Sequence, residues 1–476
     1  MCGLVGIQVM HGGSPVKTLS VSEIVYSLIP RLQHRGQDGA GLTVLSEEGR
    51  FETARGLGLI DVALKDWIHL RPGHTAIAHT RYATTGTGGV GEVQPFVKGS
   101  PKLALAHNGN IVNTAELAEK YSLKLDTASD LDVLLQVFLL KSEQGFETAV
   151  QTIFDDFNGS YAVIGIEQNG TLFGFRDPFG IRPLFLGRSK EYAALASETC
   201  ALTPLGLEVE EIKPGEWVRI SQEGITRGTL KSRINPKQDE RFCMFELVYF
   251  SSPQSEIKGQ SIYRLRFNLG RQLAQEILAQ IPRGTLPADH FDFVVPVPET
   301  SRTAAIAVAE NLRIPYREFL VKNPYVPRTF ILGSQDLRLK ALEAKLGLIG
   351  PEIRNQRILL VDDSVVRGNT SRLMALRLRE AGAKSVSLAS TCPPIRHGCF
   401  YGIDFPDPEE LVATGRDEKQ IAQSLNVDNL YYISLEGLRA ALGSSQLCTA
   451  CLTGDYPTRD ASFDRFLKDR REQRNA

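Results

Sequence analysis

The chain has 476 residues, 42% hydrophobic and 23% charged, with a formal net charge of −1. That length exceeds one ordinary hydrophobic core and points to two large domains. The near-zero charge gives no global field for nucleic acid or an anionic membrane, and no apolar run is long enough to span a bilayer.

The chain opens MCGLVGIQVM, without the basic and long apolar regions of an export signal, so the expected compartment is the cytoplasm. Methionine before a small residue is commonly removed, which makes Cys2 the expected first residue. A terminal cysteine carries its own base. An α-amine with a pKa of roughly 7.7–8 accepts the thiol proton directly or through water. A single cysteine here also fits a small buried hydrophobe at the start of a strand. Helices are expected from Val21 to Gln33 and from Thr114 to Tyr121. A third lies in TASDLDVLLQVFLLKSEQG, capped by Ser129 or Asp130 and ended by Gly145. TAIAHTRY, KLALAHNGN, GSYAVIGIEQ, TLFGFRD, EYAALASE and EWVRI read as strands of a mostly antiparallel layer, giving an α+β domain.

The charged, proline-containing stretch LKSRINPKQDERF, residues 230–242, is the expected linker. Beyond it FDFVVPVP, RILLVDD and SVSLAST read as strands, and SRTAAIAVAENLR and TSRLMALRLREAGA as helices. This alternation implies a parallel sheet. The last 20 residues are charged and read as a surface helix or tail. No internal repeat or low-complexity segment stands out.

The stretch RILLVDDSVVRGNTSR, residues 357–372, carries the most chemistry in the second half. A buried parallel strand delivers Asp362 and Asp363 to its carboxyl end, where open α/β sheets bind ligands. A loop with Gly368 then opens a helix at Asn369 to Ser371, and such a loop offers backbone N–H groups to a phosphate. Paired carboxylates there suit ribose hydroxyls or a divalent cation. The same helix is expected to turn Leu373, Leu376 and Leu378 toward a core and to stop at Gly382. A lone pair of aspartates would read as a capped strand end; the ordered string is far more specific.

This string resembles the binding motif of type I phosphoribosyltransferases, which use phosphoribosyl pyrophosphate (PRPP) with magnesium. The resemblance places Asp362 and Asp363 at the ribose and metal. It makes Asp363, Ser364, Val365, Val366, Arg367, Gly368, Asn369 and Thr370 the 5′-phosphate cradle. In the first half, CGLVGI, LQHRGQDGAG (32–41), HTRYATTG (79–86) and AHNGNIVN (106–113) stand in an order that resembles the class II glutamine amidotransferases. These are four-layer αββα N-terminal-nucleophile hydrolases. The resemblance makes Cys2 the nucleophile and Arg81 the partner of the glutamine α-carboxylate, a fork that lysine would not reproduce. It makes Asn108 and the N–H of Gly109 the oxyanion hole, and Asp130 the holder of the α-amino group.

The two halves together resemble the glutamine PRPP amidotransferase family of purine synthesis, almost end to end. The implied reaction releases ammonia from glutamine and passes it inside the protein to PRPP. The products are phosphoribosylamine, pyrophosphate and glutamate. The implied domains are residues 2–236 (glutaminase) and 237–460 (phosphoribosyltransferase), with a charged tail over 461–476. Thr300, in PVPETS, joins Asp362 and Asp363 at magnesium. The YATTG loop is expected to close over glutamine, and the segment after RTFI over PRPP. The expected partners are glutamine, PRPP and purine nucleotides as feedback inhibitors, with neither nucleic acid nor membrane. A homo-oligomer, dimer or tetramer, is expected. Ser251-Ser252-Pro253-Gln254-Ser255 departs from the usual Ala-Arg-Pro-Asp-Ser. Pro324 replaces an arginine and Pro327 a glycine. These changes frame a second reading, a regulatory paralogue with weak PRPP transfer.

Seven cysteines stand at 2, 200, 243, 392, 399, 448 and 451. An odd count in a large chain without an export signal argues against a disulfide framework. Cys448 and Cys451 have C-x-x-C spacing, which alone fits zinc, redox chemistry or chance. By resemblance, Cys243, Cys399, Cys448 and Cys451 match positions where some family members hold a [4Fe–4S] cluster. Cys392 reads as an extra ligand or core, and Cys200 as buried structure.

Overall fold

Alternation of apolar and polar residues in the first half yields two antiparallel sheets. The computed structural model describes all residues except 11–19, 68–71, 83–88, 230–239, 324–345, 406–407, 459, 461, 464 and 468–476. The first sheet runs in the order Glu208–Glu211, Phe185–Arg188, Tyr192–Ala196, Gly3–Val9, Gly73–Arg81, Gly39–Ser46, Phe51–Leu57. The second runs Gly224–Thr229, Glu216–Ser221, Leu172–Arg176, Gly159–Glu167, Leu103–Ile111, Phe96–Lys98. Their facing sides share a core of Leu4, Ile77, Ala104, Ala106, Ile164 and Leu195.

Helices close the stack on both outer faces. Val21–Leu28 covers the first sheet and starts at a capping box in which Ser20 and Glu23 satisfy each other's backbone N–H. Asp130–Ser142 and Phe146–Asp156 cover the second, burying Leu134, Phe138 and Ile153 against Phe173, Phe175 and Trp217. The result is the expected αββα stack. The first helix is shorter than expected: after Leu28 it tightens into a 3₁₀ segment, Ile29–Arg35. Pro30 lacks the N–H that an α-helix needs at that point. The helix Phe146–Asp156 was not legible as a separate element, because it follows its neighbour across the single turn at Gly145.

The second half holds a parallel sheet in the order Phe293–Pro296, Arg357–Asp362, Ser385–Ser390, Asn429–Tyr432. Helices Arg302–Leu312 and Asn369–Glu380 are the two expected crossovers. The second ends just before Gly382, and its inner face is Met374, Ala375 and Leu378. Leu376 departs from expectation: it is 39% exposed, because it lies on the opposite side of the helix from Met374 and Leu378. The 19-residue helix Ile262–Gln280 and the fourth strand add to the elements expected.

One hydrophobic core joins the halves. It runs from Val5, Ile7 and Leu28 through Phe242, Met244 and Leu247 to Ile262, Leu269 and Val361. The expected boundary at 236/237, and most of the stretch 230–242, lie outside the described residues. Phe463, inside the stretch expected as a tail, is buried and packs on Phe400 with ring centroids 4.4 Å apart. Among the described residues no helix is long and apolar enough to cross a membrane.

Candidate active site

Cys2 precedes the central strand Gly3–Val9, whose register sets Gly3 opposite Thr80 and Leu4 opposite His79. Its Sγ lies 3.9 Å from the Tyr82 carbonyl. The Cys2 nitrogen donates to Asn108 Oδ1 at 3.0 Å, and the Cys2 carbonyl accepts from Arg35 Nε at 3.0 Å. Three elements distant in sequence therefore fix one residue. With Met1 in place the Cys2 nitrogen is a peptide N–H. The Met1 amine is buried, and burial pushes its pKa down to about 5.

Asn108 is 1% exposed, on the strand Leu103–Ile111 of the second sheet. Its Oδ1 is used by Cys2, whereas its Nδ2 is buried and has no hydrogen-bond partner among the described residues. An unpaired buried donor costs about 1–3 kcal/mol, and native proteins keep few of them. A buried amide donor in this state is available to a developing negative charge. Gly109 follows with φ +154°, and a Cβ there would stand 1.9 Å from the Ser160 carbonyl oxygen, so only glycine lets the strands meet.

Arg81 ends the strand Gly73–Arg81 and is buried in an ion pair with Glu92, with a further bond of 3.4 Å to the Gly89 carbonyl. Asp130 stands in the first turn of its helix, where Ser129 caps the backbone. Its Oδ2 accepts from Ile111 N at 3.0 Å and pairs with His107 Nε2 at 3.1 Å. His107 Nδ1 faces Gln94 Nε2 at 3.2 Å, which assigns the ring proton to Nε2 when the imidazole is neutral. Burial alone would lower the His107 pKa, but the Asp130 charge and hydrogen bond outweigh it and raise it. Burial works against Asp130 too, and His107 holds its carboxyl below the usual range. His107 and Arg35, within AHNGN and LQHRGQ, are not among the residues expected at the site. The signal available was their adjacency to Asn108 and to Gly36. Most of the YATTG loop, residues 83–88, lies outside the described residues.

The second cluster forms at the carboxyl edge of the parallel sheet. Asp362 and Asp363 are 6% and 8% exposed, and Asp363 N donates to Asp362 Oδ1 at 2.9 Å. Ser364 Oγ donates to Asp363 Oδ1 at 2.7 Å, and Ser371 Oγ reaches Asp362 Oδ2 at 3.5 Å. Burial raises both carboxyl pKa values, and the Asp363 charge raises Asp362 further. A cation would relieve this. Val365 is buried, and the Val366 carbonyl accepts from Val412 N at 2.9 Å. Arg367 turns to Glu410, 2.9 Å away. Gly368 caps the helix with φ +75°, and Asn369 and Thr370 form its first turn, where N–H groups lack intrahelical partners. Thr300 stands in the turn after Phe293–Pro296; Pro296 pairs with Val361, so Thr300 and Asp362 leave the sheet at the same edge. Pro324, Pro327 and the segment after RTFI fall within residues 324–345, outside the described residues.

Comparison with known proteins bears on both clusters. A glutamine amidotransferase domain model matches residues 79–204, and a phosphoribosyl transferase domain model matches residues 264–399. The amidophosphoribosyltransferase of Methanocaldococcus jannaschii is 38% identical over 98% of this chain and 99% of its own length. That of Bacillus subtilis is 37% identical over 96% of this chain and 94% of its own. The chain belongs to the amidophosphoribosyltransferase family. The solved structure of the B. subtilis glutamine PRPP amidotransferase with ADP and GMP superimposes with a TM-score of 0.83, at 35% identity, covering 96% of this chain and 98% of that one.

The placement of the cysteines bears on the expected cluster. Cys243 and Cys448 are register neighbours on a short parallel ladder. The Cys451 carbonyl accepts from Arg396 N and His397 N, both at 3.0 Å, which brings the Cys399 loop alongside. Cys399 Sγ accepts from Tyr401 N at 3.3 Å. Burial pushes the Cys451 thiol up, and charge on Cys392, Cys399, Cys448 and Cys243 pushes it further. The four expected cysteines thus lie in one part of the fold, with Cys392 near them. Among the described residues no three His, Cys, Asp or Glu side chains form a cage for a single ion. Cys200 is buried, as expected.

Proposed function

We propose that the chain makes phosphoribosylamine from glutamine and PRPP, with Cys2 as the glutaminase nucleophile. The observation that carries the assignment of Cys2 is the unpartnered Asn108 Nδ2 beside it. With Met1 removed, the nitrogen held by Asn108 Oδ1 becomes an α-amine, which takes the thiol proton as Sγ attacks the glutamine amide carbon. The tetrahedral oxygen then receives hydrogen bonds from Asn108 Nδ2 and Gly109 N–H. Ammonia leaves, and water releases glutamate from the thioester. Arg81 exchanges Glu92 for the α-carboxylate of glutamine, and Asp130 takes the α-amine while keeping His107.

Ammonia displaces pyrophosphate at C1 of PRPP. The loop Asp363–Thr370 and the helix start hold the 5′-phosphate. Asp362 and Asp363 hold the ribose hydroxyls. Asp362, Asp363 and Thr300 would hold a magnesium ion, whose positive charge would offset that of the pyrophosphate; such ions commonly rest on one or two carboxylates plus substrate oxygens. Cys243, Cys399, Cys448 and Cys451 would be the ligand set for a [4Fe–4S] cluster; the support is their nearness in the fold and thiolate chemistry suited to iron and sulfide. Purine nucleotides, the class bound in the B. subtilis structure, act as regulatory ligands.

The test is a pyrophosphate-release assay with PRPP, magnesium and either glutamine or ammonia. Cys2→Ser is expected to lose glutamine-dependent release and keep ammonia-dependent release. Glutaminase activity with no PRPP consumption from either nitrogen source would refute the proposal. Iron and sulfide analysis with visible absorbance checks the cluster.

A further inference from the structure

A group of buried charges lies where the two halves meet. Arg35, Arg182 and Glu246 are fully buried and Glu198 is 1% exposed. Arg35 is the hub. While Nε holds the Cys2 carbonyl, Nη1 donates to Glu198 Oε1 at 2.6 Å and Glu246 Oε2 at 3.0 Å, and Nη2 donates to Glu246 Oε1 at 2.8 Å. Glu198 also accepts from Ser252 N at 2.8 Å and Ser255 Oγ at 2.6 Å. Glu246 also meets Ser251 Oγ at 3.3 Å and Arg182 Nη1 at 3.5 Å. Arg182 in turn donates to the Tyr401 carbonyl. Arg35, Arg182 and Glu198 come from the first half; Glu246, the three serines and Tyr401 come from the second.

Glu246 opens a π-helical turn, Glu246–Phe250. Arg266 fixes that turn by donating to the carbonyls of Leu247 at 3.1 Å, Tyr249 at 2.9 Å and Ser251 at 2.7 Å. Taking such charges out of water costs several kcal/mol per ion, and a hydrophobic replacement of similar volume is often no less stable. Fold stability is therefore a poor reason for this group. What it delivers is direction. A residue at a chain terminus is tied covalently on one side only, so Cys2 depends on non-covalent holds at its nitrogen and its carbonyl. Arg35 is the hold at the carbonyl, and the bidentate contact with Glu246 fixes its plane.

We infer that Glu246 is a positioning residue for Cys2: a carboxylate of the second half orients Arg35, which sets the nucleophile of the first half. The inference rests on Cys2 being the glutamine nucleophile. Glu246 is none of the residues placed at glutamine or PRPP and meets Cys2 through Arg35, so its expected effect is on the glutamine step.

The experiment uses the full chain with Glu246→Gln and Glu246→Asp. Three rates are read: ammonia-dependent pyrophosphate release, glutamine-dependent release, and alkylation of Cys2 by a diazoketone analogue of glutamine. For E246Q the expected result is ammonia-dependent release within twofold of wild type. Its glutamine-dependent kcat and its alkylation rate are expected to fall at least tenfold, with a smaller change in KM for glutamine. E246D keeps the charge and is expected to fall between the two. Wild-type alkylation and glutamine kcat in E246Q overturn the inference. If E246Q also loses ammonia-dependent release, E246D decides: slowed alkylation with intact ammonia use supports the inference, and unchanged alkylation overturns it. Loss of every activity in both variants also overturns it, in favour of a purely structural role. If wild type itself never consumes PRPP, the proposed function fails, while the alkylation rates still decide the role of Glu246.

Discussion

The two ends of the Asn108 amide differ. Oδ1 accepts from the Cys2 nitrogen, while Nδ2 has no partner among the described residues and, in the proposed reaction, meets the tetrahedral oxygen. Removing such a donor commonly costs about 10²–10³ in rate. Asn108→Ala is therefore expected to lower glutamine-dependent turnover by roughly that factor, with ammonia-dependent turnover retained; parallel assays with the two nitrogen donors check it. Asn108→Asp keeps the acceptor and loses the donor, so it is expected to resemble the alanine variant in kcat rather than wild type. Cys2, Asn108 and Gly109 stood out in the sequence because they sit in compact local strings that carry the family resemblance. The partners of Arg81 and Asp130 did not. Glu92 and His107 reach them across folded strands, and spacing along the chain carries no trace of that approach.

The helix Asn369–Glu380 shows what an element adds to its residues. In the proposed reaction its backbone start holds the 5′-phosphate, and Gly368 brings it there by a left-handed conformation, φ +75°, that turns the chain from the strand end. A Cβ there would also stand 2.5 Å from Leu425 Cδ2. The left-handed conformation costs an alanine about 1–2 kcal/mol, before any clash. Gly368→Ala is expected to raise the KM for PRPP at least several-fold, roughly the tenfold per 1.4 kcal/mol that binding energy implies, while the Cys2 alkylation rate stays near wild type. An equal loss in both assays would mean that the change had spread beyond the loop. The strand–loop–helix string was legible because a buried strand, a carboxylate pair and a glycine each have a distinct composition. The helix Ile262–Gln280 was less so. Its buried side includes Arg266, and a buried arginine breaks the apolar stripe that marks an amphipathic helix. The departure at Ser252 also reads differently in the fold. Its backbone N–H, not its side chain, holds Glu198, so that bond does not depend on the residue type.

At the scale of the whole molecule, the two halves are joined by apolar packing and by charge. Beyond the shared core, Asn110 Nδ2 donates to the Phe400 carbonyl at 2.9 Å and Ser160 Oγ to the Tyr401 carbonyl at 3.0 Å. Glu198 sits among these contacts. Burial would raise its pKa, but Arg35 and His34 hold it far below the ordinary 4.5. A carboxyl whose folded pKa is depressed stabilises fully above its unfolded value, and that stability drains as pH falls through the interval down to the folded value. Stability to urea is therefore expected to decline as pH falls below about 4.5, and the slope should be shallower in Glu198→Gln; equal slopes would place the acid sensitivity elsewhere. The same junction predicts how the chain unfolds. The sequence suggested two domains, and each half does own a sheet, but Val5, Ile7 and Leu28 share one core with Phe242, Leu247 and Leu269. Cutting that core exposes apolar surface on both pieces, at roughly 25 cal/mol per Å², and leaves Arg35 without Glu246. The full chain is thus expected to unfold in a single calorimetric transition. A piece ending near residue 236 is expected to bind a hydrophobic dye and to melt at least 10 °C lower, which is about what a loss of a few kcal/mol produces in a domain of that size. Two separated transitions in the full chain, with the upper or lower one reproduced by the isolated piece, would show that the halves fold independently and that the buried charges between them form only after folding.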